Sequence, residues 1–227
     1  MPSPALDPLL LARAATVLTA VAVPLSLLGR HRGQPRLVAV TKALASAGFV
    51  AVGLLLAPAD PAFALVVRIG LVLSLVGDLF LVGSARRWVL CGLVAFLLAH
   101  LLFASAAAHL WLAAPRQAAL ALLVGLPGGV AAWRWIVPHG GEIQRAVAAY
   151  LVTVSLSLTA LLGACAADPQ APGRLLLGAA GALLWVSDLA VARQRLMVDS
   201  IWNRVWGLPC YYAGQLLLAW SLAWVEA

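Results

Sequence analysis

The sequence predicts an all-α polytopic membrane helix bundle of about eight transmembrane helices, forming one domain over residues 1–227. Three observations carry this. The chain is 64% hydrophobic and only 10% charged, outside the range of soluble domains. Apolar runs long enough to cross a bilayer, about 20 residues each, recur along its whole length. Its basic residues gather in the short stretches between those runs. No polar stretch is long enough to act as a linker between two domains.

The first span, about 9–28, lacks the basic start of a signal peptide and reads as a retained helix. The basic turn Arg30-His31-Arg32-Gly33-Gln34-Pro35-Arg36 ends it. A second span, about 36–57, stops at Pro58-Ala59-Asp60-Pro61. The third and fourth, about 62–83 and 88–110, are parted by Arg86 and Arg87. The fifth, about 117–137, runs to Pro138-His139-Gly140-Gly141, and the sixth is about 143–166. Asp168-Pro169-Gln170-Ala171-Pro172-Gly173 then precedes the seventh, about 173–193, and the eighth is about 205–225. Gly and Pro supply the turn chemistry at these breaks.

The arginines set the expected orientation. Loops after spans one, three, five and seven hold ten of them, whereas the opposite side holds only Arg13, Arg116 and Arg174. Positively charged loops stay in the cytoplasm, which places the chain in the cell's inner membrane with both termini outside. The net charge of +7 is thereby read as a topology signal, with the bilayer as partner and no nucleic acid. Eight of the nine tryptophans, Trp88, Trp111, Trp133, Trp135, Trp202, Trp206, Trp220 and Trp224, fall near span ends as an aromatic belt. Arg68, inside the third span, is expected to snorkel outwards.

Two carboxylates interrupt the apolar runs: Asp78 in span three and Asp188 in span seven. An ionised side chain at membrane depth costs roughly 3 kcal/mol on insertion scales and so marks a candidate functional site. Both spans run in the same direction, and each aspartate lies about 8–9 Å inside the basic end. Their matching positions suggest a parallel repeat of four spans plus four. Other polar groups fall at a similar depth: Lys42 in span two, Tyr150 in span six, and Tyr211, Tyr212 and Gln215 in span eight. Ser74 lies one turn before Asp78, Ser187 adjoins Asp188, and His100 is near the middle of span four. Taken singly, each has a plainer reading. An Asp–Lys pair can serve only to lock helices together, a lone Tyr or His is commonly a packing residue, and Ser can bond its own helix backbone.

Other chemistries find no support. The histidines lack metal-ligand spacing and no HExxH motif is present. No Ser sits in a G-x-S-x-G elbow, and no Gly-rich phosphate loop occurs. Cys91, Cys165 and Cys210 read as small packing residues. No metal and no cofactor are expected. Two carboxylates with Lys, His and Tyr support are the constellation that remains.

At these residues the chain resembles the lysoplasmalogenase, or YhhN-like, membrane family. The resemblance rests on Thr41-Lys42, Ser74-Leu75-Val76-Gly77-Asp78, Gly92…Phe96…Ala99-His100, Ala149-Tyr150, the run from Gly181 to Asp188, and Tyr211-Tyr212-Ala213-Gly214-Gln215. The chain departs from the family pattern at Ala43, where Pro is expected, and at Phe103, where Tyr is expected. The resemblance implies an eight-helix enzyme that hydrolyses the vinyl ether bond of lysoplasmalogens to a fatty aldehyde and a glycerophospho-ethanolamine or -choline. It implies Asp78 and Asp188 as the catalytic pair; beside them, Lys42, Ser74, His100, Tyr150, Ser187, Tyr211, Tyr212 and Gln215 are candidates for supporting or substrate-binding roles. The basic residues Arg86, Arg87 and Arg193, with Arg195 and Arg204, are candidates for the lipid phosphate. Two other readings use the same residues: a small proton-coupled transporter, and a lipid-binding protein without catalysis.

Overall fold

The computed structural model describes residues 7–83, 85–112 and 114–226. Eight α-helices account for nearly all of it: α1 (Pro8–His31), α2 (Pro35–Leu55), α3 (Pro61–Phe80), α4 (Arg86–Leu112), α5 (Pro115–Ile136), α6 (Gln144–Ala167), α7 (Pro172–Leu196) and α8 (Ile201–Ser221). Five of them open on proline, at Pro8, Pro35, Pro61, Pro115 and Pro172. Proline suits the first turn because its missing N–H would have no helical partner there and its φ is already helical. Asp7 caps α1 by accepting from the Leu9 amide, and Asp60 caps α3 through the amides of Ala62 and Phe63. The left-handed conformation of Gly33, at φ 64°, lets the chain reverse between α1 and α2.

The expected boundaries hold to within a few residues, with one informative difference. α7 runs on to Leu196 and α8 already begins at Ile201. Ser200 is the reason, since its hydroxyl accepts from the Trp202 amide and starts the helix early. Seven helices are long and apolar enough to cross a membrane by length and composition. α8, the eighth span expected, is too polar for that test; it carries Asn203, Arg204, Tyr211, Tyr212 and Gln215. It is nonetheless packed against α7, α2 and α1. Leu123, Leu126, Leu54 and Val17 are each more than 60% exposed on the outside, a surface suited to lipid and not to water. The chain is a multi-pass membrane protein.

Six helices form a closed ring in the order α2, α3, α4, α6, α7, α8, with α8 returning to α2. α1 lies outside against α2 and α8, and α5 lies outside against α6 and α4. Exchanging the first four helices for the last four maps each of these neighbours onto another neighbour, the arrangement expected of a four-plus-four parallel repeat. Small residues let the helices close up. A methyl on Gly48 would collide with Thr19 at 2.1 Å, and one on Gly70 with the Phe103 ring at 2.3 Å.

The two ends of the bundle differ. At the end away from the basic loops, Phe63, Val67, Leu71, Phe103, Leu110, Leu177 and Leu222 form a close-packed apolar core. Arg68 does not snorkel free; it donates to the carbonyls of Gly53 and Leu56, at 2.7 and 2.8 Å. It thus satisfies the otherwise unpaired end of α2. Trp220 reaches inward to the Thr16 hydroxyl at 3.0 Å, whereas Trp202 and Trp224 are well exposed. The side chain of Trp111 lies outside the described residues. The polar groups gather at the other end, where the basic loops are.

Candidate active site

α3 presents Leu71, Ser74, Gly77 and Asp78 to the ring interior, the spacing of one helical face. Gly77 matters because a methyl there would lie 2.7 Å from the Phe96 ring; its absence lets α4 approach. Asp78 is 4% exposed, and both of its oxygens are engaged. Lys42 Nζ lies 3.0 Å from Oδ1, and the Ser46 hydroxyl donates to Oδ2 at 2.7 Å. Lys42 and Ser46 are one turn apart on α2, so a single helix face supplies both partners. Tyr212 stands behind them, its hydroxyl 3.4 Å from both Ser46 Oγ and the Lys42 carbonyl. Gln215 donates to Ser74 Oγ at 3.0 Å, and Tyr211 makes a long bond of 3.4 Å to the Ser74 carbonyl. Ser74 therefore ties α3 to α8.

Asp188 on α7 is held differently. The Tyr150 hydroxyl donates to its Oδ1 at 2.7 Å. His100 Nε2 lies 3.1 Å from its Oδ2, although the approach is poorly aligned and Oδ2 makes no hydrogen bond among the described residues. The His100 ring stands edge-on to Tyr150 and to Phe103. Its Nδ1 is buried without a partner among the described residues. No lysine or arginine lies within ion-pair distance of Asp188 among the described residues.

Both aspartates line one cavity of about 340 Å³, together with Lys42, Tyr150, Ser187 and Tyr211. That volume suits a small-molecule site. Apolar side chains such as Leu81, Leu93 and Phe96 complete the wall. Of the residues singled out from sequence, Ser74, His100, Tyr212 and Gln215 stand behind the wall and orient those that form it. Three others lie elsewhere. Arg86 is largely exposed and paired with Glu142 at 3.3 Å. Arg87 packs over the Trp88 ring, and Arg193 donates to Asn203 Oδ1. The cavity mouth is lined instead by Arg30, Arg195 and Arg204, with Gln194 and Asn203.

Two residues that build the site are not picked out by the sequence reading, and only the first carries a local signal. Ser46 follows Lys42 by four residues, the same spacing that picks out Ser74 beside Asp78. Asn203 is 1% exposed because it clamps the end of α7, donating to Gln194 Oε1 at 3.1 Å and the Val198 carbonyl at 2.7 Å. No local pattern signals that role. Among the described residues, no three His, Cys, Asp or Glu side chains cluster as metal ligands would.

The arrangement sets two carboxylates on one cavity, one held by an ammonium and a hydroxyl, the other by a phenol. A family model described as the YhhN family matches residues 37–222, most of the chain. A protein from Bos taurus named lysoplasmalogenase TMEM86A is 29% identical over 156 residues, covering 67% of this chain. The chain spans 63% of that relative's length. No solved structure matches.

Proposed function

The chain belongs to the YhhN family, and from that membership together with the site geometry we propose that it hydrolyses the vinyl ether bond of lysoplasmalogens. The products are a fatty aldehyde and a glycerophospho-ethanolamine or -choline. The observation that carries this reading is the pair Asp78 and Asp188 on one cavity, with unlike partners.

Protonation of the vinyl β-carbon is the difficult step and leaves an oxocarbenium ion. Water adds to that ion, and the hemiacetal collapses to aldehyde and alcohol. One water is consumed and the proton is returned. The step needs a carboxylic acid beside the β-carbon and a negative group beside the cation, as in glycoside hydrolysis.

Asp78 suits the second role. Lys42 and Ser46 engage its two oxygens and hold them in place beside the cation. Asp188 suits the first, because no lysine or arginine pairs with it among the described residues. After giving its proton to the β-carbon, Asp188 accepts one from the attacking water. Tyr150 keeps Oδ1 in place and His100 stands ready at Oδ2. The alkenyl chain lies along Leu81, Leu93 and Phe96, and the basic end of the bundle faces the cytoplasm.

Asp188→Asn and Asp78→Asn should each lower aldehyde release from a lysoplasmalogen by about 10²–10⁴-fold, the usual weight of a positioned acid or base. A saturated ether analogue should not be cleaved by any form. Full activity in both mutants would refute the assignment. A transporter reading calls for polar groups through the membrane thickness, and the end away from the cavity is instead a packed apolar core.

A further inference from the structure

The mouth of the cavity carries more positive charge than the fold neutralises. Arg30 ends α1, Arg195 ends α7 and Arg204 lies in the first turn of α8, and all three line the cavity. Arg204 pairs with Asp199 at 3.0 Å, and Asp199 is also held by Gln194. Among the described residues, no carboxylate lies within ion-pair distance of Arg30 or Arg195. Like charges brought together without a counter-ion repel, and topology alone asks only that arginines lie in the loops, not that they turn inward to one opening.

The spacing below the mouth is equally specific. Asp188 and Arg195 are seven residues apart on α7, about 10 Å along the axis. Tyr211 and Arg204 have the same separation on α8. A cationic ring therefore sits roughly one glycerophosphate length above the carboxylates. We propose that Arg30 and Arg195, seconded by Arg204, form a binding site for the phosphodiester anion of a single-chain lipid headgroup. Guanidinium groups match phosphate oxygens in geometry and charge. The site reads the phosphate and not the amine beyond it, because Asp199, which adjoins the mouth through Arg204 and Gln194, is already engaged by both.

This rests on the lysoplasmalogen reading for its substrate but not for its test. Binding is measured first, with purified full-length protein in detergent. The ligands are a non-hydrolysable alkyl-ether lysophosphoethanolamine, its choline counterpart and the phosphate-free alkylglycerol. The expected result is that Arg30→Gln with Arg195→Gln weakens both phospholipid analogues by about tenfold or more and alkylglycerol far less. Arg195→Lys should restore part of the loss. Equal weakening of all three ligands, or none, would overturn the proposal, as would inorganic phosphate binding as tightly as the lysolipids. In turnover, the same double variant should raise KM for the phosphorylated substrate with little change in kcat. If the wild-type protein cleaves no vinyl ether yet binding follows the expected pattern, the hydrolase reading fails and the phosphate site stands.

Discussion

Asp78 and Asp188 occupy matching places in the two halves of the chain, on α3 and α7, and each receives partners from the corresponding neighbours. Asp78 is met from α2 by Lys42 and backed from α8 by Tyr212. Asp188 is met from α6 by Tyr150 and approached from α4 by His100. The scaffold is repeated but the chemistry is not. Where one half offers an ammonium, the other offers a phenol. Asp78 has a fixed counter-charge, whereas Asp188 has a hydroxyl donor and no lysine or arginine beside it among the described residues. The difference teaches how one architecture gives two identical side chains in a single cavity unlike surroundings.

The comparison can be broken most severely at Lys42. Lys42→Met leaves the buried Asp78 charge unpaired and should destabilise the protein by about 3–5 kcal/mol, read as a lowered melting temperature in detergent. Adding Asp78→Asn should recover much of that stability, since both charges are then gone, and should not recover aldehyde release. Recovery of activity in the double variant would show that the Asp78 anion has no part in the reaction.

A smaller effect is expected on the other side. Tyr150→Phe removes a single donor from Asp188 and should cost about 1–2 kcal/mol. Its larger signature should be kinetic, a fall in kcat at nearly unchanged KM, because Tyr150 positions the acid and does not hold the lipid. Ser46→Ala should do least, about 1 kcal/mol of stability, with Lys42 still in place at Asp78 Oδ1. If Ser46→Ala lowered kcat more than Tyr150→Phe, the division of labour between the two aspartates would be reversed.

Much of this was legible before any coordinate. Long apolar runs, the Gly and Pro turn signals and the arginine-bearing loops marked the spans, because helix length in a bilayer and the charge of its loops are local properties of the chain. The interior carboxylates stood out for the same reason, as costly exceptions to an apolar background. Which arginines line the cavity mouth was only partly legible: Arg195 and Arg204 were among the candidates and Arg30 was not. Arg86 and Arg195 lie in loops on the same side and carry the same charge, yet Arg86 pairs with Glu142 on the surface while Arg195 lines the cavity. What separates them is the extra turn of α7 and the early start of α8, which Ser200 and Asn203 enforce across the loop between them.

The sequence by itself determined that this chain crosses a membrane several times and carries ionisable groups at one depth. Both follow from the hydrophobic cost of each residue taken with its neighbours along a helix. Only the tertiary structure decided which groups meet, since a ring of six helices sets α2 against α3 and α4 against α6, and sequence distance says nothing of that order. The lysine thus fell to Asp78 and the phenol to Asp188, and that pairing, not the presence of two acids, makes their surroundings unlike.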